Sequence, residues 1–262
     1  MTSAEEDTLS RFLDYSKSLT EACLAHPEII GLVLVGSAAE TERVDKWSDH
    51  DFFVITPSGS QDLLRTNLNW LPNSESIAFS FKETVHGLKV VYESGAVLEF
   101  AVFDCAELQT CDVNHHYLAY GNEEVAQALE SATNRKVEVS GTNNLKDFRL
   151  FLSLLIIGVG RSRRGEILTA GENIRSTATY ALLKVFTQQL GKNPQLDRLD
   201  ARRRFESVHP EIGNIIGTAL TMQPENAAKT LLNIADNFLA PIWDGYPHRE
   251  VDVVKRVLSW NS

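Results

Sequence analysis

The chain has 262 residues, 43% apolar and 23% charged, the make-up of a globular protein with room for one large domain or two ordinary ones. No run approaches the roughly 18 uninterrupted apolar residues of a membrane span, and the acidic start Met1-Thr-Ser-Ala-Glu-Glu-Asp7 lacks the apolar core of a secretory leader, so no membrane association is expected. A formal net charge of -10 works against a nucleic-acid partner and favours a cationic small molecule, although acidity for solubility alone produces the same surplus.

In chain order, residues 4–26 read as a helix, with Leu9, Phe12, Leu13, Leu19, Cys23 and Leu24 at helical spacing and His26-Pro27 ending it. Ile29 to Val35 is a short apolar run, as in a strand buried on both faces. Residues 38–48 are polar and read as a loop. Phe52 to Ile55 is a second strand, stopped by Pro57-Ser-Gly-Ser60, and residues 61–71 form a short helix. Three runs of β-formers follow at 77–81, 89–92 and 97–103, punctuated by Gly87 and Ser94-Gly95, which suggests a meander continuing the same sheet.

Strand signals fade after residue 105, and residues 122–131 look helical. The polar, turn-rich stretch 139–144 is the best candidate linker. Beyond it, helices are expected at 146–161, 171–190, 199–208, 210–221, 224–239 and 249–260, with a break at 191–194. The fold class is α+β: an N-terminal domain over residues 1–138 and an all-helical domain over 139–262. Cys23, Cys105 and Cys111 form neither a metal-ligand spacing nor a disulfide framework, so a cytoplasmic location is expected.

The chemistry concentrates in Gly31-Leu-Val-Leu-Val-Gly36-Ser37 followed by Trp47-Ser-Asp49-His50-Asp51-Phe-Phe-Val-Ile55. Residues i and i+2 of a strand share a face, so Asp49 and Asp51 can converge on one divalent cation. The Gly36-Ser37 turn can bring backbone N–H groups to a phosphate, with the Ser37 hydroxyl beside them. Glu99 sits mid-strand among Val97, Leu98, Phe100 and Ala101, where a lone carboxylate is costly and a shared cation offsets the cost. If residues 97–103 lie beside the strand that starts at Asp51, Glu99 completes a triad as metal ligand, general base or both. Asp104 competes for that place but stands at a strand end. Lys46 and Arg43 are candidate phosphate contacts, although loop cations are usually solvated. The ordinary alternative is two unrelated strand ends carrying solvated acids.

Gly36-Ser37 with Asp49-His50-Asp51 resembles the signature of the DNA polymerase beta-like nucleotidyltransferase superfamily, and the two-part layout resembles its small-molecule branch, the aminoglycoside and lincosamide nucleotidyltransferases. The resemblance covers roughly residues 28–104. It implies a mixed sheet flanked by helices, Mg²⁺ (one or two ions), ATP or another NTP, and transfer of a nucleoside monophosphate to a hydroxyl with release of pyrophosphate. It places Asp49 and Asp51 at metal positions, Glu99 as third carboxylate, and Gly36 and Ser37 at the phosphate turn. The sequence departs from the family at His50, where an apolar residue is usual. That side chain is expected to turn away from the metals as a structural histidine. Ala38, Ala39 and Glu40 stand where a further glycine is often found.

In the helical half, Gly158-Val-Gly-Arg161-Ser-Arg-Arg164-Gly-Glu166 looks similar to the helical domains of antibiotic nucleotidyltransferases. Glu166 is a rival base, and Arg161 and Arg164 are possible phosphate contacts, against a solvated interhelical turn. Arg204 and His209 match an Arg-x4-His ribonuclease spacing by chance, and Trp243 and Tyr246 are candidates for core or for an acceptor pocket. The leading expectation is an enzyme acting on a small-molecule acceptor, as monomer or homodimer. The alternatives are a protein or RNA acceptor, as in toxin–antitoxin systems, and a non-catalytic nucleotide-binding module.

Overall fold

The computed structural model describes residues 3–135, 143–191, 193, 195–197 and 199–260. The chain divides into two compact units, Met1–Val137 and Glu138–Ser262. Of the expected linker, residues 139–142 lie outside the described residues, as do Lys192 and Pro194 of the expected break. No helix among the described residues is long and apolar enough to cross a membrane.

The first unit opens with α1 (Ser3–Ala25), which buries Phe12, Leu19 and Cys23 along one stripe. Then come β1 (Gly31–Val35), β2 (His50–Ile55), α2 (Gln61–Thr66), β3 (Ile77–Lys82), β4 (Gly87–Tyr92), β5 (Val97–Phe103), α3 (Cys105–Thr110), β6 (His116–Gly121) and α4 (Glu123–Asn134). Among the described residues the strands form one mixed sheet in the order β3-β4-β5-β2-β1-β6. β2 and β5 run parallel, and every other neighbouring pair is antiparallel. The expected meander is β3-β4-β5. It folds back so that its last strand pairs with β2.

Alternation sorts the side chains between two faces. Leu32, Leu34, Phe52, Val54, Leu98, Phe100 and Val102 pack with Phe12, Leu19, Leu64 and Trp70 on one side. Val33, Ile55, Ala101 and Phe103 pack with Leu108, Val125, Ala128 and Leu129 of α3 and α4 on the other. Phe52 and Phe100, opposite each other on the parallel pair, stack with ring centroids 4.8 Å apart. Strand β6 is missing from the sequence reading. It is an edge strand, His116-Tyr-Leu-Ala-Tyr-Gly121, in which no residue is fully buried and Tyr117 is exposed, and its run of adjacent apolar and aromatic residues shows no apolar–polar alternation.

Asp104 heads α3 as its N-cap. Its carboxylate accepts the Glu107 N–H at 2.8 Å, while Glu107 accepts the Asp104 N–H at 3.1 Å. That capping box, with the backbone N–H of Glu107 as the largest influence, holds the Asp104 carboxyl below the usual range. Its proximity to the end of β5 is thus explained by capping.

The second unit is helical: α5 (Asn144–Arg163), α6 (Ile167–Gly171), a π-helical stretch Glu172–Ala178, α7 (Thr179–Gln189), α8 (Phe205–Val208), α9 (Pro210–Leu220), α10 (Pro224–Phe238) and α11 (His248–Leu258). Its core gathers Phe148, Phe151, Leu155, Phe186, Phe205 and Leu231. Tyr246 is buried there, donating to Asp236 at 2.8 Å, and partly buried Trp243 packs edge-on against Phe148, so both rings contribute to the core. The helix expected over 199–208 shrinks to α8. Asp197 accepts the N–H groups of Leu199 and Asp200, and Asp200 accepts that of Arg202, so short acidic side chains take backbone donors a helix would need.

Replacing Phe52 by Ala removes one partner of the central stack from a fully buried site. It should lower stability by about 3–5 kcal/mol in chemical denaturation. A loss under about 1 kcal/mol would show that the stack is not what fastens β2 to β5.

Candidate active site

The site starts where β1 ends. Gly36 has φ +58, in the left-handed region that glycine enters freely. A Cβ built on it would stand 2.6 Å from Oδ2 of Asp51. Glycine meets both features without strain, and any side chain here would displace the Asp51 carboxylate. The Gly36 carbonyl accepts the N–H groups of Ala39 and Glu40, both at 3.2 Å, closing a 3₁₀ turn over Gly36–Ala38. The Ser37 hydroxyl donates to the Asp49 carbonyl at 3.1 Å and fastens the turn to the entry of β2.

Register supplies the rest. Asp51 pairs with Val35 on one side and with Glu99 on the other. Asp49 lies just ahead of β2, two residues before Asp51. One carboxylate oxygen from each of Asp49, Asp51 and Glu99 lies within 4.8 Å of the others. The two aspartates are half-buried, whereas the Glu99 side chain is 48% exposed. Ligands at 2.0–2.1 Å around an octahedral Mg²⁺ stand about 2.9 Å (adjacent) to about 4.2 Å (opposite) apart, so small rotations of these side chains complete a shell. The donors are all hard oxygens, which suits Mg²⁺, Mn²⁺ or Ca²⁺ and not a thiophilic metal. The residues fit a divalent cation.

Lys46 and Arg43, on the loop between β1 and β2, have partners of their own. Lys46 Nζ lies over the ring of exposed Trp47 at 4.8 Å, and Arg43 pairs with Glu40. Arg161, Arg164 and Glu166 belong to the second unit. There Arg164 donates to Glu166 at 2.9 Å across the exposed turn at Gly165. The guanidinium of Arg164 holds the Glu166 carboxyl below its ordinary value.

Lys89 is a site neighbour that the sequence reading missed. Its Nζ is 3.4 Å from Glu99 and 2.9 Å from Glu83, and these carboxylates, Glu83 foremost, raise its pKa. The signal was present: a hairpin centred on Ser94 puts residues 89 and 99 opposite each other, as the register shows.

His50 points to the far face. It is buried and stacked on Phe12 at 3.7 Å, and its Nε2–H donates to the Phe12 carbonyl at 3.1 Å. Burial lowers its pKa to about 4, with the Phe12 hydrogen bond and the Asp49 charge opposing weakly. It is a neutral structural group.

No family model matches the chain, and no curated protein matches it. Among solved structures it is similar to an aminoglycoside 6-adenyltransferase from Bacillus subtilis at 12% identity and TM-score 0.38, over 94% of this chain and 98% of that one. It is similar to a nucleotidyltransferase-like protein from Exiguobacterium sibiricum 255-15 at 11% identity and TM-score 0.36, over 93% and 79%. It is also similar to a STING-associated CdnE c-di-GMP synthase from Capnocytophaga granulosa at 9% identity and TM-score 0.34, over 98% and 83%.

The depressed pKa of His50 has a measurable sign. Between the ordinary value of 6.5 and about 4 the unfolded chain binds the proton and the folded chain does not, so stability falls on acidification through that window. In buffer with EDTA, chemical denaturation at pH 7 and pH 5 should show the wild type losing about 2 kcal/mol more than His50→Gln, which cannot titrate. Equal losses would mean that His50 is not kept neutral by the fold.

Proposed function

We propose that this protein is a nucleotidyltransferase of the polymerase beta-like superfamily, moving a nucleoside monophosphate from ATP or another NTP to a hydroxyl of a small molecule. One observation carries the reading: carboxylates from β2, its entry and β5 converge at a cation-sized point against the left-handed bend at Gly36.

Each residue then has a task. Asp49, Asp51 and Glu99 would hold the divalent cation, which supplies charge neutralisation at the α-phosphate and at the departing pyrophosphate. Gly36, lacking a side chain, leaves the bend open for phosphate oxygens to approach. Ser37 keeps the bend and Asp49 in fixed relation through its bond to the Asp49 carbonyl. Glu99, the most exposed of the three carboxylates, can take the proton of the acceptor hydroxyl. The acceptor oxygen forms a bond to the α-phosphorus as the bridging bond to the β-phosphate breaks, and pyrophosphate leaves. The surplus of acid, 35 carboxylates against 25 lysines and arginines, supports a cationic acceptor such as an aminoglycoside; a lincosamide is the related choice. A cytoplasmic setting suits the three free cysteines.

Purified protein with Mg²⁺ and ATP should release pyrophosphate when the right member of an aminoglycoside, lincosamide and metabolite panel is added. Asp51→Asn should cut that release at least about 100-fold while leaving the circular dichroism spectrum unchanged. Nucleotide monophosphate appearing on a co-expressed protein or RNA, found by mass spectrometry, would move the acceptor to a macromolecule. Metal-dependent nucleotide binding that never leads to turnover would reduce the protein to a binding module.

A further inference from the structure

One transverse row of the sheet runs Phe81, Lys89, Glu99, Asp51, Val35 across β3, β4, β5, β2 and β1. Lys89 is therefore brought to the carboxylate face by strand pairing, with the same fixity as Asp51 and Glu99. Its ammonium lies 2.9 Å from Oε1 of Glu83 and 3.4 Å from Oε2 of Glu99, with the side chain 30% exposed. An ammonium is a compact point charge with three donors, able to serve both carboxylates at once. Any divalent cation that takes Glu99 as a ligand competes with a cation already in place.

Resting on the reading of this cluster as a metal site, we propose that Lys89 is a positioning residue that controls the access of metal to Glu99. Lys89 occupies the Glu99 carboxylate as a built-in monovalent cation. The chain alone then binds one divalent ion, centred on Asp49 and Asp51, where three uncompensated carboxylates would accept a second. Glu83 sets the balance by drawing the ammonium toward the hairpin and away from Glu99.

The test is Mn²⁺ titration of the full chain without nucleotide, reading free Mn²⁺ by electron paramagnetic resonance, so that no turnover is needed. Wild type should bind one ion. Lys89→Met should bind the first ion about tenfold tighter, because the Glu99 carboxylate, released from the ammonium, becomes free to ligate it, and should take up a second. Lys89→Arg keeps the charge and should titrate like wild type. In a Glu99→Gln background, Lys89→Met should change affinity less than about twofold, since the carboxylate under competition is missing.

An unchanged titration in Lys89→Met overturns the proposal, as does an equal gain in the Glu99→Gln background, which would make Lys89 only a distant charge. Two ions of similar affinity in wild type would also overturn it. The reading of the cluster as a metal site fails separately. If wild type binds no Mn²⁺, both inferences fall. If Asp51→Asn loses the ion while Lys89→Met leaves it unaltered, only the role of Lys89 falls.

Discussion

The parallel pairing of β2 with β5 is the constraint on which the rest of the site depends. It places Asp51 opposite Glu99 in the register of the sheet, at the end where both strands begin. Two carboxylates that far apart in sequence meet only because the β3-β4 hairpin carries the chain outward and returns it as β5 beside β2. The pairing is held from behind. Phe52 and Phe100, one residue further along each strand, stack on the opposite face in the core that includes Trp70 and Leu64. At this end of the strands one face packs on the core while the other presents acid, and further along the acid-bearing face packs on α3 and α4 through Ile55, Ala101 and Phe103.

That arrangement has an electrostatic cost. Two unit charges at about 4 Å repel by roughly 1 kcal/mol in water and roughly 4 kcal/mol near a protein surface. Three carboxylates within 4.8 Å therefore oppose folding unless positive charge is near. Lys89 offsets part of the repulsion from the next strand. The Gly36 bend, pressed against Asp51, fixes the direction of that side chain, and Ser37 ties the bend to Asp49. A site strained in this way and still ordered by its neighbours is suited to a divalent cation.

Much of this could be read from the residues. The helix of residues 4–26 emerges as Ser3–Ala25, because its apolar stripe is regular and His26-Pro27 ends it. Strands with strong apolar runs, β1, β2 and β5, were legible, as was the outward turn of His50 that follows from period two. What escaped lacked a periodic signal or depended on distant partners. Strand β6 is a half-exposed edge without apolar–polar alternation, held by pairing with β1, and the stretch before α8 is diverted by Asp197 and Asp200. Lys89 escaped because its neighbour across the hairpin is set by register, which hydrophobic pattern alone does not reveal. For Trp243 and Tyr246, aromatic type near a turn was compatible with pocket or core, and tertiary packing decided for core.

We place one cation position among Asp49, Asp51 and Glu99, beside the Gly36 bend. Its most direct test is the anomalous scattering of a crystal of the protein soaked in Mn²⁺. A single peak within bonding distance of carboxylate oxygens of both Asp49 and Asp51, on the Glu99 side of β2, is the result this account predicts. A saturating soak that leaves the cluster empty, or that places the ion among other residues, would contradict it.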